Sequence, residues 1–216
     1  VPKLPTTLTE RGDVLLYLTN ALMSSQPGEG TCALTPPPGS PRPPEQKNTF
    51  AAQGMGGVGK TIMASMVARD LRIRKHFRKI SFVSVGLDPD IRALQRMIYL
   101  HLSGSAMPST ADPSIESQRL VLQNLAGSAK PGEKYLLILD DCWKKVHEAQ
   151  LNCFDGSEHH KVLITTRTAR LVPGCIDIPL SLLSSTEGES LLARVSGKNL
   201  TDNNKHSFEK ILNKCG

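Results

Sequence analysis

Apolar residues along this chain fall into two alternating rhythms. Between residues 10 and 24 they sit at Val14, Leu15, Leu18, Leu22 and Met23, a spacing that predicts a helix with one buried face. Short apolar runs follow at wider intervals. Asn48 to Gln53, Lys79 to Val85 (KISFVSV), Tyr135 to Leu139 (YLLIL), Lys161 to Thr165 (KVLIT) and Ile176 to Leu180 each predict a strand. The continuous run YLLIL is what a strand buried on both faces shows. Between these runs helical spacing returns. Thr61 to Ile73 predicts a helix with Met63, Met66 and Val67 inward, and Asp90 to Leu102 one with Ile91, Leu94, Ile98 and Leu102 on one face. Ile115 to Leu125, Glu187 to Val195 and Ser207 to Lys214 complete the helices, with a Thr186–Glu189 capping box opening the middle one. Such alternation implies an α/β fold, a parallel sheet covered on both faces.

Composition changes this picture in two places. The stretch PPPGSPRPP, Pro36 to Pro44, supports neither helix nor paired strand, so residues 26–47 read as an exposed, disordered insertion. That divides the chain into a linker and first helix (1–25), the insertion (26–47) and one α/β domain (48–216). The missing initiator Met and the ending NKCG suggest a segment of a longer protein. No apolar run approaches the ~18 residues that a membrane span needs. The five cysteines are scattered and never spaced CxxC, which fits reduced thiols in the cytoplasm better than a disulfide framework or zinc site. The net charge of +6 could signal nucleic acid, but Lys and Arg are dispersed apart from RIRKHFRK, which reads as a solvated helix end.

The candidate chemistry begins at Gly54-Met55-Gly56-Gly57-Val58-Gly59-Lys60-Thr61, a full G-x-x-x-x-G-K-[ST] between a predicted strand and helix. Glycines let successive backbone N–H groups turn toward phosphate oxygens, and the helix start adds its positive end. Lys60 would reach the outer phosphates and the Thr61 hydroxyl a Mg²⁺ ion. In YLLILDDCW, Asp140 and Asp141 end a buried strand at the edge where open α/β sheets bind ligands. Asp140 suits the metal, and Asp141 suits the general base for an attacking water. In KVLITTRT, Thr165, Thr166 and Arg167 would face the terminal phosphate, with Arg167 as its sensor.

In order, LPTTLTERGDVLLYLTNAL, GMGGVGKTIMA, HFRKISFVSVGLDPDIRALQRMIYLHLSG, YLLILDDCW, KVLITTR and IPLSLLSSTEGESLLARVSG resemble successive motifs of the NB-ARC domain. This is the nucleotide-binding module of plant disease-resistance proteins and of the apoptosome-forming ATPase, within the STAND class of signalling NTPases. The resemblance covers nearly the whole chain except the proline-rich insertion. It implies a P-loop sandwich with a five-stranded parallel sheet, for which the order 5-1-4-3-2 is inferred. It also implies an ATP/ADP switch with Mg²⁺ and slow hydrolysis, in an intracellular multidomain protein that self-associates when ATP-bound. Arg11 would lie near the adenine. One departure is Ile62, where the family usually has a threonine that donates near the α-phosphate; weaker binding is expected. A second is that the sequence stops before the family's G-L-P-L and Met-His-Asp motifs, so the lid that closes over ADP would lie beyond it. Two alternatives stand beside this reading. A nucleic-acid-dependent P-loop ATPase gains from the basic pI of about 9.1, but a helicase would more often show Asp-Glu than Asp140-Asp141. A degenerate scaffold would not need Lys60, Thr61 and both aspartates.

Overall fold

The computed structural model describes residues 1–7, 11–24, 49–53, 56–109, 112–154, 159–173, 175–198 and 201–215. The expected proline-rich insertion lies outside them, as do Gly54 and Met55. The strands are β1 (Thr49–Gln53), β2 (Lys79–Gly86), β3 (Tyr135–Cys142), β4 (Lys161–Thr166) and β5 (Ile176–Pro179). All pair in parallel, in the order β2-β3-β4-β1-β5. Read from the other edge, this is the inferred 5-1-4-3-2.

Strand pleating divides the core into two layers. Leu137 and Leu139 point to one face, where they meet Val83, Ile98, Leu122 and Ile164. Leu136 and Ile138 point to the other, against Phe50, Val67, Ile73 and Leu163. The first face is covered by α4 (Ile91–Ser103), α5 (Ile115–Gly127) and α6 (Lys145–Leu151). The second is covered by α1 (Gly12–Met23), α2 (Lys60–Arg69) and α3 (Leu71–His76), with Leu18 and Leu22 of α1 fully buried there. Beyond β5, α7 (Ser185–Ser196) packs on α8 (Asp202–Cys215). A Cβ added at Gly188 would lie 2.9 Å from Leu212 Cδ2, so glycine permits that close approach. Among the described residues no helix is long and apolar enough to cross a membrane.

Four local expectations change. The helix expected over Thr61 to Ile73 breaks at Asp70, whose backbone leaves the helical region (φ −58°, ψ 128°). Its carboxylate accepts from the Arg72 N–H at 2.8 Å and from the Arg72 guanidinium at 2.7 Å, a local cap that competes with helix continuation. On α4, Leu94 packs against the core as expected but only partly buried, while Gln95, which was not expected inward, is fully buried. Its amide donates to the carbonyls of Ile115 (3.0 Å) and Gln150 (2.9 Å), tying α4 to α5 and α6. The short helix α6 was not expected at all. The capping box lies at Ser184–Glu187, two residues before the expected Thr186–Glu189 pair. Both pairs have the S/T-x-x-E spacing, but the first helical residue is Ser185, which puts Thr186 and Glu189 inside the helix.

Candidate functional site

The parallel sheet brings the ends of β1, β3 and β4 to one edge. From β1 the chain runs through Gly56–Gly59 into α2. Gly57 and Gly59 take φ of 80° and 96°, which a Cβ disfavours. The N-cap of α2 is Gly59, which has no side chain to cap the helix, and this suits its first-turn N–H groups and positive dipole end to an anion.

Lys60, the first residue of α2, is only 7% exposed. Burial lowers its proton affinity first and the Arg167 charge lowers it further, while Asp141 and Asp140 pull the other way. The Thr61 hydroxyl donates to Asp140, at 2.9 Å to Oδ1 and 3.1 Å to Oδ2. Asp140 is buried and accepts a further bond from the Thr165 hydroxyl at 2.7 Å. Thr165 Oγ1 in turn accepts the N–H of Asp141 at 2.8 Å. That bond secures Asp141 in the left-handed region, φ 55°, which Asp tolerates better than most residues. The Asp141 carboxylate faces Arg167, with Nε 3.7 Å from Oδ1. The guanidinium also lies over the Trp143 ring, with Cζ 5.0 Å from the centroid. A Cβ on Gly56 would come within 3.1 Å of Arg167 Nη1, so Arg167 rests directly against the glycine loop.

Two hollows meet here. Lys60, Thr61, Asp140, Asp141 and Arg167 all line a polar cleft. Beside it lies a hollow of about 630 Å³ with a mainly apolar wall that includes Met63, Met66, Leu180, Leu191 and Leu192. Arg11 borders this hollow, 8% exposed, and its Nη2 finds no partner among the described residues. An unmet buried donor costs about 1–3 kcal/mol, which an acceptor on a ligand in the hollow would relieve. The two hollows share Gly57, Gly59 and Ile62. Half-buried Ile62 thus stands at their junction.

The structure therefore brings together the residues singled out in the sequence, apart from Thr166, which is buried, lines neither hollow and accepts the Thr168 N–H at 3.0 Å, and apart from Gly54 and Met55, which lie outside the described residues. Thr165 differs from its expected position. It borders the cleft, but it is 1% exposed and its hydroxyl is engaged by Asp140 and Asp141 rather than offered to a phosphate. Trp143, the last residue of the family-like block YLLILDDCW, was given no role of its own in the sequence reading.

The chemistry on offer is coherent. Hard oxygens on Thr61 and Asp140 suit Mg²⁺, which commonly takes one or two protein oxygens and completes its shell with water and phosphate. Lys60, Arg167 and the loop N–H groups suit phosphate oxygens, and the apolar hollow suits a flat base.

Comparison with known proteins identifies the family and the fold. The family model described as the NB-ARC domain matches residues 43–200. A candidate disease resistance protein of Solanum bulbocastanum, RGA4, is 32% identical over 183 residues, which cover 80% of this chain and 18% of that protein. This chain thus spans less than a fifth of that relative's length. A Signal Transduction ATPase with Numerous Domains (STAND) protein from Pyrococcus horikoshii, with a tetratricopeptide repeat sensor, superposes with a TM-score of 0.53 at 18% identity. The match covers 97% of this chain and 28% of that one. The Aeropyrum pernix ORC2 protein in its ADP form gives 0.53 at 15% identity, covering 93% of this chain and 56% of that one. At such identities the likeness is one of fold.

Proposed function

Because this chain belongs to the NB-ARC domain family, a nucleotide-binding domain of disease-resistance-like proteins, we propose that it acts as an ADP/ATP switch. One observation carries the reading: a polar cleft with two cationic side chains adjoins an apolar hollow at Gly57, Gly59 and Ile62. An adenine nucleotide has those two chemistries end to end. In this reading Gly54 to Thr61 cradle the phosphates, Arg11 meets the adenine end, and Ile62 lies beside the α-phosphate. Thr61 and Asp140 hold Mg²⁺, whose contribution when bound is to neutralise charge on the outer phosphates.

Asp141 is the candidate base. Its left-handed backbone and the Thr165 bond hold its carboxylate at the cleft, where it pairs loosely with Arg167. An oxyanion arriving beside Arg167 competes for that guanidinium and releases the carboxylate to accept a proton from water. Hydrolysis by this arrangement is slow and resets the switch. ADP favours a closed state and ATP an open, self-associating one within a larger intracellular signalling protein. The shift requires that the two states bind the two nucleotides unequally.

Lys60→Ala is the direct test. A charge-assisted hydrogen bond contributes about 1.5–3 kcal/mol, so ADP affinity by calorimetry falls at least tenfold. Unchanged affinity would remove the assigned site. Turnover stimulated by nucleic acid would assign the chain to a different class of ATPase.

A further inference from the structure

Arg167 is held from several sides, and one of its supports, Trp143, is a group that the nucleotide-binding reading does not itself use. Its side chain is 48% exposed, and a long exposed arginine samples many rotamers unless something restrains it. The Asp141 contact at 3.7 Å is long and partly solvated, and such exposed pairs restrain little. The Trp143 face is the larger support, with the guanidinium carbon 5.0 Å from its centroid. The backbone on either side is tied as well. The Thr168 hydroxyl donates to the Trp143 carbonyl at 3.5 Å, and the Thr168 N–H donates to the Thr166 hydroxyl at 3.0 Å. The turn that carries Arg167 is therefore fastened to the segment that carries Trp143. At its far end Arg167 lies against Gly56 and within electrostatic reach of Lys60.

We propose that Trp143 is a positioning residue: its ring holds Arg167 poised against the glycine loop, so that the site distinguishes a nucleoside triphosphate from a diphosphate. The inference rests on the nucleotide-binding reading above. Lys60 and Arg167 bring two positive charges to the polar cleft, and only an anion placed between them uses both. The apolar hollow, on the other side of Ile62, takes the base. The outermost phosphate is therefore the group that meets Arg167. Stacking on Trp143 removes rotamers from Arg167 before that phosphate arrives, and preorganisation of this kind raises affinity for the ligand that needs it.

Trp143 is the single tryptophan of the chain, so its emission reports on this contact without a label. The probes are Mg-ADP and the Mg complex of the β,γ-imido analogue of ATP, titrated against wild type, Trp143→Tyr and Trp143→Leu. In wild type the analogue shifts the Trp143 emission and ADP leaves it nearly unmoved. Loss of a cation–π contact at a partly exposed site corresponds to roughly three- to tenfold in affinity. Trp143→Leu loses that much for the analogue and nothing for ADP, and Trp143→Tyr recovers most of the loss. Equal losses for both probes, or none for either, overturn the inference and leave nucleotide binding standing. A wild type that binds neither probe overturns the nucleotide reading and this inference with it. Should Trp143→Leu fail to fold, the wild-type titration decides, and an emission change of equal size with ADP and analogue overturns the proposal.

Discussion

Thr165→Val removes one hydroxyl at nearly constant volume from a residue that is 1% exposed. Two bonds go with it. One is the 2.7 Å donation to the buried Asp140 carboxylate, a charge-assisted bond that contributes about 1.5–3 kcal/mol. The other is the 2.8 Å bond from the Asp141 N–H, in a segment that water reaches, so its loss costs about 1 kcal/mol. The added methyl returns about 0.8 kcal/mol of burial. The net loss is about 2–3 kcal/mol. It appears as a lower midpoint in urea at unchanged slope. Function changes in parallel, because among the described residues Asp140 keeps only the Thr61 hydroxyl and Asp141 loses the bond that secures its left-handed backbone. Mg²⁺-dependent ADP affinity falls, and hydrolysis falls further than affinity. A Thr165→Ser variant keeps the hydroxyl and retains most of both. If Thr165→Val unfolds at the wild-type urea concentration and binds ADP as tightly, the account of Thr165 as the tie between the two aspartates is wrong.

Asp140→Asn weakens Mg²⁺-dependent nucleotide binding, whereas Asp141→Asn spares ATP binding and slows turnover, since Asn also tolerates the left-handed backbone; equal loss of binding in both contradicts this division of roles. Ile62→Thr adds a donor at the junction of the two hollows and tightens ADP binding by up to about 1.5 kcal/mol, at a stability cost of about 1 kcal/mol from lost apolar burial. A lower melting temperature with unchanged ADP affinity would make Ile62 a packing residue only. The Cys142 thiol is pushed up to about 11, chiefly by burial and then by the Glu148 charge. With its folded value above its unfolded one, its contribution to stability is complete below pH 9 and is lost as pH rises toward 11. Urea midpoints measured across that window fall less steeply for Cys142→Ala than for wild type, and parallel curves would count against the thiol's part in it.

The strands, most of the helices and the glycine loop were legible in the sequence because each is set by near neighbours. YLLIL is apolar at every position because β3 is covered on both faces, and Gly57 and Gly59 report backbone angles that other residues resist. The run Asp140-Asp141 after an apolar strand located the acidic edge by the same local logic. Elsewhere the sequence offered equivalent options and packing chose between them. Ser184–Glu187 and Thr186–Glu189 have the same spacing, and only the observed start of α7 separates them. Gln95 was not among the residues expected inward on α4, yet carbonyls from α5 and α6 give it two partners in the core. Thr165 could be placed at the sheet edge from sequence, but its hydrogen bonds could not. With Leu139 beside Ile164 in the β3–β4 register, Asp140 and Thr165 come next along each strand, within hydrogen-bonding reach. That contact joins residues 25 apart in the chain and depends on strand order and register, as does the stacking of Arg167 on Trp143. The chemical groups of the site follow from local sequence. Which of them are free to meet a ligand, and which are already engaged with one another, depends on how distant segments pack.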